Sequence, residues 1–195
     1  MPRLIDHAKR QEELAEATWR VILREGVSAV SIRTVAAEAG VSTGSLRHIF
    51  PSKTDLLVYA MQLVDERAGA RIDAHLAEPD PRRLVLSVIR ELLPLDAQRR
   101  AEMEVNIALI AEARTDERMK QVRDDAYQVL RAACRRMLAH LRDNGLTAPG
   151  IDIEEAATAL HGLVDGLATH LLINNDPGFE QQVLQAVNAH LDSLR

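Results

Sequence analysis

Cysteine and aromatic residues are what this chain has least of: one Cys, one Trp, two Tyr and two Phe in 195 residues. A single thiol, Cys134, closes no internal disulfide and builds no multi-thiolate metal site. On the apolar side of a predicted helix it reads as a small core hydrophobe rather than a nucleophile. After Phe50 the only rings are Tyr59, Tyr127 and Phe179, too few for an aromatic cage around a quaternary ammonium ion. No uncharged apolar run reaches 18 residues, and no basic start leads into an apolar segment. Neither a membrane span nor a secretory signal is expected, and the cytoplasm is the default compartment. No stretch alternates like a strand, and no internal repeat or low-complexity tract interrupts the chain.

What is present is a chain long and apolar enough, at 47% hydrophobic, to bury a substantial core in one or two domains. The net charge of −5 argues against nonspecific binding to nucleic acid, but its distribution is uneven. Met1 to Lys53 holds eight Lys/Arg and six Asp/Glu, leaving sixteen and twenty-three for the remainder. A basic end on an acidic body suits a protein that meets polyphosphate with its N-terminal part alone.

Apolar periodicity predicts helices near 9–25, 31–38, 42–48, 52–78, 81–93, 98–114, 117–143, 152–174 and 178–193, an all-α chain. The prolines, Pro2, Pro51, Pro79, Pro81, Pro94, Pro149 and Pro177, fall between these segments, where they start or end helices without breaking one. The loop "DNGLTAPGID" precedes the last two helices.

The densest polar chemistry lies in "VSTGSLRHIF", Val41 to Phe50. Ser31 caps a short helix whose Ile32, Val35 and Ala36 point inward, and Gly40 sits where a left-handed C-cap is needed. Ser42 caps the next helix, anchored by Val41 and Leu46. Ala36, Gly40 and Leu46 meet the demands of a helix-turn-helix: a small residue at the helix contact, a glycine in the turn, an aliphatic lock. The free face then carries Thr43, Gly44, Arg47 and His48. Gly44 permits close backbone approach, and the other three can donate to phosphates or base edges. In "FPSKTDLL", Ser52 and Asp55 make a capping-box pattern, and Lys53 at the helix start reads as a phosphate clamp. Ser31, Arg33, Thr34, Ser42 and Ser45 complete the expected DNA-binding set. Trp19 and Phe50 read as core of the small N-terminal domain.

The span Lys9 to Leu57, with "SIRTVAAEAGVSTGSLRHIFPSKTDLL" at its centre, resembles the DNA-binding domain of the TetR family of bacterial transcriptional regulators. "STGSLRH" and "LLPLDAQRRAEMEVNIALIAEA" are similar to the branch that includes choline and betaine regulators. Many members have a tyrosine where this chain has Arg47, so a tyrosine contact to phosphate does not carry over. The resemblance implies a homodimer with DNA-binding residues 1–52 and a ligand-binding and dimerisation part, 53–195. It also implies a four-helix interface from the last two helices, double-stranded DNA with a palindromic operator as partner, and release by a small-molecule effector. Apolar surface to supply that interface is expected from Leu160, Leu163, Val164, Leu167, Leu171 and Leu172 on one helix and Val183, Leu184, Val187 and Leu191 on the next. "GLVDG", Gly162 to Gly166, has the small-xxx-small spacing of a close helix approach.

The effector pocket is expected from Met103, Asn106, Ile107 and Ile110 facing Tyr127, Leu130, Arg131 and Cys134, with His161 and Asp165 at the rim. Mostly aliphatic and Met walls fit a neutral or weakly acidic apolar molecule, its polar end oriented by Tyr127 or Arg131. The same residues also fit a plain filled core. His161 and Asp165, four apart on a helix, lack a third metal ligand at suitable spacing, so neither metal nor cofactor is expected. An all-helical enzyme using His161, Asp165 or Glu112 would need a nucleophile with a base, a phosphate loop or a metal signature, and none is recognisable. A protein-binding scaffold would explain the helices but not the helix-turn-helix.

Overall fold

A computed structural model describes residues 4–114 and 116–195; Pro2 lies outside them. Among the described residues all regular structure is helical: α1 (Leu4–Glu25), α2 (Ile32–Glu38), α3 (Thr43–Ile49), α4 (Lys53–Asp73), α5 (Pro81–Leu92), α6 (Ala97–Glu112), α7 (Glu117–Asp143), α8 (Ile153–Ile173) and α9 (Phe179–Ser193), with a short 3-10 turn at Val27–Ala29. The fold is all-α, as the apolar periodicity requires. The largest departures from the expected spans are at α1, which already begins at Leu4, and α4, which stops at Asp73. After α4 the amides of His75, Leu76 and Glu78 bond three residues back, to Ile72, Asp73 and His75. These tighter turns bring the chain to Pro79, which disfavours helical geometry in the residue before it.

Helix ends follow local chemistry. Asp80 caps α5, its Oδ1 accepting from the Arg83 amide at 2.8 Å, with Pro81 in the first turn where its missing N–H costs nothing. Asp152 caps α8 by accepting from the amides of Glu154 and Glu155. Each cap is worth about 1 kcal/mol against alanine.

The chain divides into two compact units, Met1–Arg67 with Ala101–Asp124, and Ala68–Arg100 with Asp125–Arg195. In the first, Leu14, Trp19 and Ile22 of α1, Val35 and Ala36 of α2, Leu46 of α3, and Phe50 pack with Leu56, Leu57 and Met61 of α4. Val105, Leu109, Ala113 and Met119, from α6 to the start of α7, enter the same core. Packing therefore does not break at residue 52, where the domain boundary was expected. The apolar face of α4 continues the head's core, and a distant stretch of chain completes it. Trp19 and Phe50 are core residues as expected: the indole Nε1 donates to the Ala60 carbonyl at 3.0 Å, and Phe50 packs on Tyr59 at a centroid distance of 5.3 Å.

In the second unit α8 packs on α9 and α5, burying Ala156, Ala157, Leu160, His161, Val164, Ala168 and Leu171. α8 is long and apolar enough to cross a membrane by length and composition. Those seven buried residues make it the core helix of its unit. Arg82 of α5 reaches α9, where Asn188 Oδ1 and Asp192 Oδ1 accept at 3.2 and 2.9 Å.

Candidate nucleic-acid interface

The turn between α2 and α3 is built by Gly40, whose φ of +66° lies in the left-handed region that side-chain-bearing residues avoid. The Val41 amide bonds the Ala36 carbonyl and the Gly40 amide bonds that of Ala37, the pair of bonds that defines a Schellman stop. Ser42 then starts α3, its Oγ accepting from the Ser45 amide at 3.1 Å. Leu46, fully buried, holds the helix to the core, and Ile49 is half-buried. Thr43, Gly44, Ser45, Arg47 and His48 are exposed. α3 is thus a short helix fastened by one aliphatic, with everything polar outside.

Arg20 and Arg24 of α1 both pair with Glu38 of α2, at 2.8 and 2.9 Å, and hold its carboxyl below the ordinary range. Arg33, exposed on α2, and Arg47 on α3 have no such partner among the described residues. Arg20 and Arg24 thus brace α1 against α2, while Arg33 and Arg47 stand exposed. A Cβ built on Gly44 would meet only Ser42 Oγ, at 3.9 Å. Nothing inside the protein demands glycine there, although glycine costs a helix interior about 1 kcal/mol against alanine.

Besides Ser42, three of the expected contact residues are engaged internally. Ser31 Oγ accepts from the Thr34 amide while Thr34 Oγ1 accepts from the Ser31 amide and donates to the Ala29 carbonyl at 2.8 Å. Both residues are half-buried. Lys53 Nζ donates to the Val27 carbonyl at 3.1 Å, so it fastens the 3-10 turn with at least one of its three donors. Ser52 and Asp55 form the expected box, with the Ser52 amide on Asp55 Oδ2 at 2.9 Å and the Asp55 amide on Ser52 Oγ at 3.2 Å.

One feature of this unit has no counterpart among the expected residues. Thr54 Oγ1 donates to Asp116 Oδ2 at 2.9 Å, and Arg118 Nη1 donates to Asp55 Oδ1 at 2.8 Å. Asp116 also accepts the amides of Arg118 and Met119 as cap of α7. The turn between α6 and α7 is bolted to the first turn of α4, which directly follows α3. Asp before Glu117 is a readable cap signal; its second partner, sixty-two residues away, is not.

Of the expected effector residues, Met103, Asn106, Ile107 and Ile110 belong to the first unit and Tyr127, Leu130, Arg131, Cys134, His161 and Asp165 to the second. Ile107, Ile110 and Tyr127 are exposed, while Met103, Asn106, Leu130 and Arg131 are half-buried. Asn106 Oδ1 is buried without a hydrogen-bond partner. Cys134 is fully buried, its thiol pushed up to about 11 by burial and then by the charge of Asp165. Arg131 donates to Glu154 Oε2 at 3.3 Å. Among the described residues no three metal-ligating side chains gather.

Of the residues expected to supply subunit contact, Leu160, Leu171, Val183 and Val187, with Val164 and Leu191, are buried in the second unit's own core. Leu163, Leu167, Leu172 and Leu184 are half-buried, and among the exposed residues of these helices are the small Ala159, Gly162 and Gly166 on α8 and Ala186 and Ala189 on α9.

Comparison with known proteins gives this geometry a lineage. Residues 14–60 match the family of bacterial regulatory proteins of the tetR type, and residues 81–195 match the C-terminal part of BetI-type transcriptional repressors. The chain belongs to the TetR family. Its relatives include the HTH-type transcriptional regulator PksA of Bacillus subtilis, 36% identical over all of this chain and 94% of that one. A transcriptional regulator from Pseudomonas aeruginosa PAO1 superposes with a TM-score of 0.84 at 27% identity, covering 98% of this chain and 92% of the other. Another from Saccharomonospora viridis, solved in complex with choline, shares the fold at a TM-score of 0.80 and 24% identity, covering 95% and 96%. This TetR-family chain is a DNA-binding transcriptional regulator and not an enzyme.

Proposed function

We propose that the protein is a homodimeric repressor that holds a palindromic operator in the cytoplasm and is released from it by a small molecule. The observation that carries this reading is α3, where Leu46 alone is fully buried and Thr43, Gly44, Ser45, Arg47 and His48 face outward. Arg47 supplies a fork for a guanine edge or a phosphate, Gly44 admits the backbone close to the groove, and Thr43, Ser45 and His48 add donors. Arg33 contributes phosphate contact from α2. Ser31, Thr34, Ser42 and Lys53 act mainly by holding the two helices in register, with free donors of Lys53 and the amides at the start of α3 still available to phosphate.

A single head makes few contacts, so specificity requires two, spaced to successive major grooves on a two-fold operator. The exposed small residues Ala159, Gly162, Gly166, Ala186 and Ala189 support close approach of a second copy at α8 and α9, with Leu163, Leu167, Leu172 and Leu184 beside them. Effector binding then shifts the population between a DNA-competent conformer and others. The likeness to BetI-type repressors and to a regulator solved with choline supports a small-molecule effector.

The test is fluorescence anisotropy with duplexes from the promoters flanking its own gene. Tight, salt-dependent binding to one inverted repeat, two chains per site, is the expected result. Equal affinity for that repeat and a scrambled duplex overturns the reading.

A further inference from the structure

Tyr127 of α7 and His161 of α8 stack within the second unit, with ring centroids 4.9 Å apart and planes tilted by 38°. His161 is buried, and its Nε2 lies 3.3 Å from Asp165 Oδ2, one turn further along α8. The outer members of the trio are open: Tyr127 is 52% exposed and the Asp165 side chain 61%. An aromatic ring and a carboxylate are therefore mounted on one buried imidazole, each accessible to a ligand.

The neighbouring cations are spent elsewhere. Arg131 donates to Glu154 Oε2 at 3.3 Å, and Arg135 pairs with Oε1 of the same residue. Among the described residues His161 is the only hydrogen-bond or ion-pair partner of the Asp165 carboxylate. The charge of Asp165 reaches the buried Cys134 and helps to keep that thiol protonated. A carboxylate with no arginine or lysine partner, beside a ring, has a clear complement. A positive group is drawn to the ring face, and the carboxylate accepts charge-assisted hydrogen bonds from any N–H it carries. A quaternary ammonium ion has no N–H to give, and a single open ring is no cage for it. A carboxylic acid would meet like charge.

We infer that Tyr127, His161 and Asp165 form a binding site for a protonated primary or secondary amine carried on an apolar body. Tyr127 covers the apolar body and the flank of the cation, Asp165 takes its N–H groups, and His161 positions both. This replaces the neutral or weakly acidic ligand expected from the wall residues alone. It deepens the proposed effector response and rests on that reading only in treating the bound amine as the effector.

The experiment is calorimetry on the full chain at neutral pH with four matched probes: 2-phenylethylamine, its trimethylammonium counterpart, 2-phenylethanol and 3-phenylpropionate. The amine binds most tightly and the propionate most weakly. Asp165→Asn lowers amine affinity about tenfold, towards that of the alcohol, Asp165→Glu restores part of it, and Tyr127→Leu weakens it about fivefold. No binding of the amine, indifference to Asp165→Asn, preference for the propionate, or equal affinity for the quaternary ion each overturns the inference. Operator anisotropy on the same samples separates the two readings. Intact DNA binding without amine binding removes this site alone, and absence of specific DNA binding in the unaltered chain removes the regulator reading.

Discussion

A methyl group on Gly44 would lie 3.9 Å from Ser42 Oγ, an ordinary contact, and within 4 Å of no other neighbour on which it could press. Alanine at this helical position is therefore expected to raise stability by about 0.5–1 kcal/mol, by narrowing the unfolded chain's freedom. The same methyl stands between α3 and the groove, so operator affinity falls. Urea unfolding and anisotropy on Gly44→Ala should move in opposite directions; a variant that loses both would place the glycine's role inside the fold.

Arg47 and Lys53 part company under the same substitution. Arg47→Ala leaves unfolding unchanged, because the side chain is exposed and unpaired, and costs about 1–3 kcal/mol of operator binding with relaxed base preference. Lys53→Met removes the bond to the Val27 carbonyl and costs stability, about 1.5–3 kcal/mol as a charged hydrogen bond. It flattens the salt dependence of binding less than a purely phosphate-bound lysine would. Salt titrations of both variants check the division.

Acid acts on the bolt between α4 and the α6–α7 turn. Asp55 is held below the usual carboxylate range first by the Ser52 hydroxyl and then by Arg118; Asp116 is lowered chiefly by the Thr54 hydroxyl and the Met119 amide. A depressed folded-state pKa gives stability that is complete above the ordinary carboxylate value and lost as pH falls through it towards the folded one. Urea midpoints measured from pH 7 to pH 3 should drop below about pH 4, and less steeply in Asp55→Asn and Asp116→Asn. Parallel curves for all three proteins would remove the linkage.

Subunit contact is tested where the face is open. Gly166→Glu puts a charge on exposed α8 with nothing outside the helix's own backbone within 4 Å of the new Cβ, so the helix stays folded while the pairing of two copies fails. Leu160→Glu instead buries a charge in the unit's core and unfolds it. Sedimentation and circular dichroism distinguish the cases, and a wild-type monomer at micromolar concentration would contradict the dimer.

Local signals were legible and tertiary ones were not. Ser31 and Ser42 announce helix starts because a cap needs only its next three residues, and Gly40 announces the turn because few residues accept its φ. The hydroxyls of Ser31 and Thr34 look the same in a sequence whether they face a phosphate or each other. Leu160, Leu171, Val183 and Val187 are apolar enough for a subunit face, but a side chain buried within its own unit is not available to a second copy. Of the small residues beside them, Gly162 and Gly166 show in the sequence by their small-xxx-small spacing, whereas Ala159, Ala186 and Ala189 carry too little hydrophobicity to stand out. Val105, Leu109, Ala113 and Met119 read as one more amphipathic stretch, with nothing local to say that they complete the head begun at α1.

That completion has a consequence for how the protein is made. The DNA-binding head draws its core from residues up to Arg67 and again from Ala101–Asp124. During synthesis the helix-turn-helix leaves the ribosome with part of its apolar surface still waiting for chain not yet translated. A gene fragment ending after α4 encodes α2 and α3 but exposes the seat of Val105, Leu109, Ala113 and Met119, and it lacks Asp116 to receive Thr54. Anyone borrowing this head for a fusion must carry the later segment with it, or replace those four side chains with a surrogate.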